Sequence, residues 1–189
     1  MEEQDIVIAG FGGQGVLSAG LLLAHAGLNV GQNVAWFPFY GPEMRGGTAG
    51  CIVVVSDDEI GSPIVGSPHA AVVMNEPSLV KWAPRVRPGG TLVVNSSLTT
   101  TRVERTDIRL LEIPASDLAA EIGNDRVANM VAVGALVAAT GVLPMEAVEA
   151  AIAETLGPGK ERFVEPNRDA LRRGAALAAA LAAPPARSL

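Results

Sequence analysis

The fold is decided by the stretch Ile6-Val-Ile-Ala-Gly10-Phe-Gly12-Gly13-Gln14-Gly15-Val16-Leu17-Ser18. It begins as a β-branched apolar run, typical of a buried strand, and passes into an apolar helical pattern. Its glycines fit G-x-G-x-x-G, in which a tight turn joins a strand to a helix whose N-terminus can receive a phosphate. An alternative is that the glycines only allow close strand–helix packing. The candidate ligand-binding residues are Gly10, Gly12, Gly13, Gln14 and Gly15.

The same stretch lacks the other features of two common nucleotide sites. A nicotinamide site needs an acidic residue about 20 positions after the glycines to bind the ribose. No Asp or Glu lies between Asp5 and Glu43. The Gly-Lys-Ser/Thr of a P-loop is also missing. The sequence therefore argues against NAD binding and against nucleotide hydrolysis.

Composition excludes several classes of protein. The 189 residues are 49% hydrophobic and 18% charged, which is typical of a globular chain, and the net charge is -6. An acidic chain of this kind lacks the positive field that nucleic-acid binding requires. The single cysteine, Cys51, excludes an internal disulfide and a cysteine-ligated iron–sulfur cluster. The two histidines show no ligand spacing, so we predict no metal site.

Along the chain, short apolar runs alternate with helical patterns up to about residue 113, after which the pattern is helical. A β-hairpin is predicted at Asp57, between strands at 48–55 and 59–65. We therefore predict an α/β, Rossmann-like fold with a mostly parallel sheet, an antiparallel hairpin and a helical C-terminal part. The other predicted strands cover 6–9, 33–39, 70–74, 91–95 and 103–113, and the predicted helices cover 13–26, 77–86, 116–122, 124–140, 144–156 and 167–183.

A second glycine-rich loop follows the strand that ends near Phe39. In Tyr40-Gly-Pro-Glu43-Met-Arg45-Gly-Gly-Thr48, Arg45 is suited to bidentate pairing with a carboxylate or a phosphate, and Glu43 could orient it. Both loops are expected at the carboxyl ends of the strands, where ligands bind in such sheets. The aromatic residues beside this loop fit either the core or a partner surface. They are Trp36, Phe37, Phe39 and Tyr40.

Three motifs resemble those of the γ subunit of 2-oxoacid:ferredoxin (acceptor) oxidoreductases. They are Gly10-Phe-Gly-Gly-Gln14-Gly15-Val, Tyr40-Gly-Pro-Glu-Met-Arg45-Gly-Gly-Thr48-Ala and Asn129-Met-Val-Ala-Val-Gly134-Ala-Leu. Asn167, Ala170 and Gly174 are similar to the closing motif of that family. The form Glu43-Met-Arg45 resembles the 2-oxoglutarate and branched-chain types more than the pyruvate type.

The resemblance implies a role in the oxidative decarboxylation of a 2-oxoacid to its acyl-CoA, with electrons passed to ferredoxin. It implies thiamine diphosphate in the α and β subunits, iron–sulfur clusters in other subunits, and a coenzyme A site beside the glycine loop. The phosphates of coenzyme A are expected to accept backbone N–H bonds from Gly12, Gly13 and Gln14. Tyr40, Glu43 and Arg45 are expected to contact coenzyme A or the α subunit. The lysine that single-chain relatives carry after this loop is missing.

No residue is predicted to be catalytic, and the isolated chain is expected to be inactive. The expected partners are α and β subunits, with a ferredoxin-like δ subunit as a further candidate. In isolation the chain is expected to form a homodimer. The alternatives are a purely structural assembly subunit and a free-standing nucleotide- or coenzyme A-binding protein. We predict one domain over 1–189 with a frayed tail at 184–189, no membrane association, and a cytoplasmic location because the acidic N-terminus does not resemble a signal peptide.

Overall fold

The computed structural model describes residues 3–41, 47–62 and 65–182. Glu43, Arg45 and the predicted frayed tail therefore lie outside the described residues. The strands are β1 (Gln4–Phe11), β2 (Asn33–Tyr40), β3 (Thr48–Ser56), β4 (Ala70–Val73), β5 (Thr91–Asn95) and β6 (Arg109–Ile113). The helices are α1 (Val16–Asn29), α2 (Glu76–Trp82), α3 (Ala115–Ile122), α4 (Ala128–Thr140), α5 (Met145–Leu156) and α6 (Val164–Ala182).

The strands form one six-stranded sheet in the order β2-β3-β1-β4-β5-β6. β1, β4, β5 and β6 are parallel to one another, whereas β3 runs antiparallel to both β1 and β2. The mixed α/β class, the mostly parallel sheet and the helical C-terminal part are confirmed. An antiparallel hairpin is also present, formed by β2 and β3.

The position predicted for this hairpin was wrong. β3 ends at Ser56, and residues 59–62 form no strand. β3 instead lies between β1 and β2 and forms eight residue pairs with each of them. Because β3 is covered on both faces, its uniformly apolar sequence does not reveal the direction in which it runs.

Two hydrophobic clusters lie on opposite faces of the sheet. The alternation along β1 divides its side chains between them, with Ile6 and Ile8 on one face and Val7 and Ala9 on the other. The first face is packed by α1, α3, α4, α5 and α6, whereas α2 is the one α-helix whose residues enter the second cluster. The second face consequently has thinner cover among the described residues.

The C-terminal part is held together by a close crossing of α4 and α6. A Cβ atom on Gly134 would lie 1.9 Å from the carbonyl oxygen of Leu171. A Cβ atom on Gly174 would lie 1.8 Å from the carbonyl oxygen of Val131. Neither distance is compatible with a side chain, so the two glycines allow the helices to touch backbone to backbone.

Several element boundaries differ from the predictions. Of the extended segment predicted at 103–113, Arg109–Ile113 alone is strand within the described residues. The helix predicted from 124 begins with a short 3₁₀ turn at Asp125–Val127, where Asn124 accepts a hydrogen bond from the Arg126 backbone N–H. Gly141 ends α4 in the left-handed conformation. None of the helices in the described ranges is both long and apolar enough to cross a membrane.

Candidate functional site

The glycine loop connects β1 to α1, and its glycines serve different purposes. Gly13 and Gly15 have φ angles of +96° and +71°, which other residues rarely adopt. A Cβ on Gly10 would lie 2.6 Å from the Gln14 Oε1 atom, so this glycine is required for packing. Gly12 has neither constraint, since a Cβ there would meet nothing within 4 Å. Its surroundings are open to a ligand.

The Gln14 side chain is used within the protein. Its Oε1 accepts a 2.7 Å hydrogen bond from the Phe11 backbone N–H, and its Nε2 donates to the Met74 carbonyl oxygen at 3.2 Å. Asn75 Nδ2 also approaches Oε1, at 3.5 Å. Gln14 thereby fixes the loop to the end of β4, and we assign its side chain a structural role.

The backbone N–H groups of the loop are only partly available. Gly12 N–H donates to the Gly47 carbonyl and Gln14 N–H to the Phe11 carbonyl. Both groups are engaged within the chain in this conformation of the loop, and their binding to a phosphate stays a prediction. Among the three predicted donors, Gly13 N–H has no acceptor within the described residues. At the start of α1, no side chain caps the helix.

Asn129, at the start of α4, fixes the other side of the loop. Its Nδ2 donates to the Gly15 carbonyl oxygen at 3.0 Å, and its Oδ1 accepts from the Met130 backbone N–H. Asn129 is buried, with 5% of its surface exposed. A side chain on Gly15 would collide with it, because a Cβ there would lie 2.5 Å from Nδ2. The motifs at 10–15 and 129–136 are thus in direct contact.

A cleft of about 520 Å³ opens beside this contact. One wall is the glycine loop and the first turns of α1, another is the start of α4, and the third is formed by the end of α5 and the residues that follow it. The lining residues are Gly13, Gly15, Ser18, Leu22, Asn124, Arg126, Val127, Asn129, Met130, Ile152, Thr155, Leu156, Lys160, Phe163 and Asn167.

Arg126 and Lys160 are the two cations in this lining. Neither makes an ion pair with a described residue. Neither residue was predicted from the sequence, because both lie more than a hundred positions after the glycine loop. The available signals were that Arg126 closely precedes Asn129 and that Lys160 follows the loop Gly157-Pro-Gly159. Positive charge absent from the glycine loop itself is thus supplied by later segments.

The second predicted group is only partly described. The Tyr40 side chain is 70% exposed at the end of β2, whereas Glu43 and Arg45 lie outside the described residues. The neighbouring aromatic residues are divided between two environments. Trp36 packs against the core on the α1 side, and Phe37 is 54% exposed on the α2 side. Trp36 therefore belongs to the core, whereas Phe37 belongs to the surface.

No activated nucleophile is found in the described residues. Cys51 is fully buried, and this burial raises the pKa of its thiol to about 12. His25 Nδ1 contacts the Thr155 hydroxyl at 3.1 Å, and His69 lies 2.9 Å from the Asp5 carboxylate. In the described part of the chain, the polar contacts of the two histidine rings involve Thr155, Asp5 and Arg87 and no serine. Within these residues no group of three His, Cys, Asp or Glu side chains could hold a metal.

Residues 5–177 match the family described as pyruvate ferredoxin/flavodoxin oxidoreductase. The chain belongs to this family. Within it, the chain is 42% identical over 175 residues to the ketoisovalerate oxidoreductase subunit VorA of Methanothermobacter thermautotrophicus, covering 92% of this chain and 36% of that protein. It is 41% identical over 165 residues to the 2-oxoglutarate synthase subunit KorC of Methanothermobacter marburgensis, covering 84% of this chain and 89% of that protein.

Solved structures of this oxidoreductase family share the fold. The keto/oxoacid ferredoxin oxidoreductase γ subunit from Geobacter sulfurreducens aligns with a TM-score of 0.80 at 33% identity, over 94% of this chain and 99% of that one. The 2-oxoglutarate:ferredoxin oxidoreductase from Magnetococcus marinus, solved with 2-oxoglutarate, coenzyme A and succinyl-CoA bound, aligns with a TM-score of 0.86 at 25% identity. That alignment covers 100% of this chain and 33% of the other. This chain thus spans about a third of the longer relatives and most of the shorter ones.

Proposed function

We propose that this chain is the γ subunit of a multi-subunit 2-oxoacid:ferredoxin oxidoreductase that acts on 2-oxoglutarate or a branched-chain 2-oxoacid. The observation that carries the proposal is the family match over residues 5–177, together with similarity along nearly the whole length of a separate γ subunit. The relatives named for ketoisovalerate and for 2-oxoglutarate are about equally similar, at 42% and 41% identity. We therefore propose both substrate classes.

In the proposed complex the chemistry takes place on partner subunits. The acyl group of the 2-oxoacid is transferred to the coenzyme A thiol, its carboxylate leaves as CO₂, and the electrons pass to ferredoxin. We expect thiamine diphosphate in the α and β subunits, as in the family that the chain resembles. We expect the iron–sulfur clusters in other subunits, since this chain has one cysteine and that cysteine is buried. The isolated chain is expected to be inactive, and a cytoplasmic location stays a prediction.

This chain contributes, on the same proposal, to the coenzyme A site. The support is the cleft beside the glycine loop, which is lined by Gly13 and by the first turns of α1. The Gly13 N–H has no acceptor among the described residues, and the N-cap residue of α1 makes no side-chain cap. Gly12 does not line the cleft, but the space around it in the same loop is open. A helix N-terminus favours a phosphate through its oriented N–H groups. Arg126 and Lys160 line the same cleft and would neutralise phosphate charge.

The division of roles in this cleft follows from the chemistry of each wall. Gly13 donates its N–H, the two cations attract phosphate oxygens, and the apolar side chains Leu22 and Phe163 exclude water from one side. Asn129 and Gln14 make no contact with the ligand in this proposal. They hold the loop in the conformation that leaves Gly12 and Gly13 open.

The experiment is steady-state kinetics of the complex reconstituted with its α and β subunits. Arg126→Ala and Lys160→Ala are each expected to raise the KM for coenzyme A about tenfold, the value of a charge-assisted contact of roughly 1.5 kcal/mol, with the KM for the 2-oxoacid unchanged. Arg168→Ala is the matched control, because this α6 arginine pairs with Glu165 and is absent from the cleft lining. Dephospho-CoA tests whether the cations bind the 3′-phosphate. Equal KM values for all three variants would overturn the coenzyme A contact.

A purely structural role for the loop is the second candidate. The observation that favours it is that Gly12 N–H, Gln14 N–H and the Gln14 amide are engaged within the chain. This candidate predicts weaker assembly of Arg126 and Lys160 variants with unchanged kinetics. A free-standing nucleotide-binding protein is tested by thermal shift of the isolated chain with NAD, FAD and coenzyme A, since a ligand that binds the folded state must stabilise it.

A further inference from the structure

The molecule carries positive charge in one region although it is acidic as a whole. Six basic and three acidic residues lie between positions 76 and 109, against a net charge of -6 for the chain. This segment includes α2, the helix that covers the second face of the sheet. The remainder of the chain is correspondingly more acidic. A charge distribution this uneven directs how a surface meets a partner.

Two of these cations, Lys81 and Arg85, lie over aromatic rings. Lys81 Nζ lies 5.2 Å from the ring centroid of Trp82 and 5.3 Å from that of Phe39, and the Arg85 guanidinium lies 5.4 Å from Trp82. Phe39 and Trp82 contact each other with ring centroids 5.8 Å apart. Trp82 is buried, so it fixes the position of both cations without being exposed itself. The charges are held at the surface by cation–π contacts.

Lys81 and Arg85 have no carboxylate partner among the described residues. Their neighbours differ from them in this respect. Arg105 pairs with Asp107 and also donates to the backbone carbonyls of Ala83 and Val86, which gives it a structural role at the end of α2. Lys81 and Arg85 have no equivalent polar contact in the described part of the chain, and their charge is available to an external group.

Exposed apolar side chains adjoin these cations. Val80, next to Lys81 on α2, is 60% exposed, and Phe37, which is on the same face of β2 as Phe39, is 54% exposed. Aromatic and arginine residues surrounded by polar side chains are the composition that distinguishes protein interfaces from other surface. We define the α2 patch as Phe37, Phe39, Val80, Lys81 and Arg85.

We propose that the α2 patch is the docking surface for an acidic face of a partner subunit. This inference rests on the proposed function. Charge complementarity selects the occupant, because two cations that have no carboxylate partner in the described ranges, beside exposed apolar surface, are best matched by carboxylates on another protein. Nucleic acid is a poorer match, since its phosphates would meet an acidic chain outside this patch. The cleft lies on the opposite face of the sheet, so docking here leaves it open.

The test is the affinity of this chain for its αβ subcomplex, measured by biolayer interferometry at low and physiological salt. Lys81→Glu and Arg85→Glu are each expected to weaken binding about tenfold at low salt, mainly through slower association, with a smaller effect at higher salt. Arg168→Glu, the same change of charge on α6, is the matched control and is expected to stay within about twofold of wild type. Thermal unfolding of each isolated variant verifies that it is folded.

Different results would overturn the proposed function and the inference about the α2 patch. Wild-type chain that does not bind αβ would overturn the proposed function and this inference together. Wild-type binding with Lys81→Glu and Arg85→Glu indistinguishable from Arg168→Glu would overturn this inference alone. A change confined to self-association of the chain, detected by light scattering, would also overturn it, because the occupant would then be a second copy.

Discussion

Asn129 and Gly15 are joined by a 3.0 Å hydrogen bond from the asparagine Nδ2 to the glycine carbonyl oxygen, although they lie 114 positions apart in the sequence. The bond links the start of α4 to the residue that precedes α1. The side chain is buried, and its oxygen simultaneously accepts the Met130 N–H. The glycine loop is therefore positioned by the C-terminal helices as well as by its own strand.

Replacement of this asparagine is expected to be costly. Asn129→Ala removes the donor to Gly15 and the acceptor for the Met130 N–H, and should lower the free energy of unfolding by about 1–3 kcal/mol. Urea denaturation measures this difference. Asn29→Ala is the comparison, since its hydrogen bond to Glu154 is exposed and its loss should cost less than about 0.5 kcal/mol. Equal effects of the two changes would contradict a special role for Asn129.

The α4–α6 crossing gives a second prediction. Alanine favours a helix over glycine by about 1 kcal/mol, so propensity alone would make Gly134→Ala and Gly174→Ala stabilising. The added Cβ atoms would lie 1.9 Å and 1.8 Å from carbonyl oxygens of the facing helix, which predicts the reverse because the helices must separate. We expect net losses of about 2 kcal/mol or more in denaturant unfolding. Ala176→Ser, which adds one atom at an exposed position of α6, should change stability by less than about 0.5 kcal/mol.

The buried thiol predicts a pH dependence. The pKa of Cys51 rises from 9.0 to about 12 on folding, so the folded state retains a proton that the unfolded state loses above pH 9. Stability from this group is therefore complete below pH 9 and is lost as pH rises from 9 toward 12. Between pH 8 and pH 10, wild type should lose about 1 kcal/mol relative to Cys51→Ala. Urea unfolding at the two pH values measures it, and a constant difference would contradict the assignment.

The two glycines at the ends of the loop should separate structure from binding. Gly15→Ala introduces a side chain at φ +71° against Asn129, and should lower the free energy of unfolding by about 1–3 kcal/mol. Gly12→Ala projects into open space and should leave thermal stability unchanged. In the reconstituted complex, the same Gly12→Ala change should raise the KM for coenzyme A. An unchanged KM would show that no ligand approaches Gly12.

The sequence predicted those elements whose signals are local. β1 and β5 were predicted from apolar runs, and the end of α4 was predicted from Gly141, because each depends on neighbouring residues alone. The pairing of β3 with β1 on one side and β2 on the other was not predicted, since it joins segments that are separated in the sequence. The sequence of a buried strand that is apolar on both faces does not indicate which strands it pairs with or in which direction.

The candidate site shows the same limit. The glycine motif predicted a tight turn between β1 and α1, and Gly13 and Gly15 adopt positive φ angles in that turn. It did not predict that Gly12 N–H and Gln14 N–H would be consumed by internal hydrogen bonds. Arg126 and Lys160 enter the cleft through the packing of α4 and α5 against α1, a tertiary arrangement that spacing in the sequence does not encode.

The composition of the cleft has a consequence for folding. Its walls come from residues 13–22, 124–130 and 152–167, so it exists only after both ends of the chain have come together. A molecule bound across it would connect the first strand–helix unit to the last helices, and its binding energy would oppose their separation. Ligand occupancy and completion of the tertiary structure would therefore be coupled. A chain shortened before α5 would lack one wall of the cleft, and the full chain would gain stability that rises with the logarithm of ligand concentration above the dissociation constant.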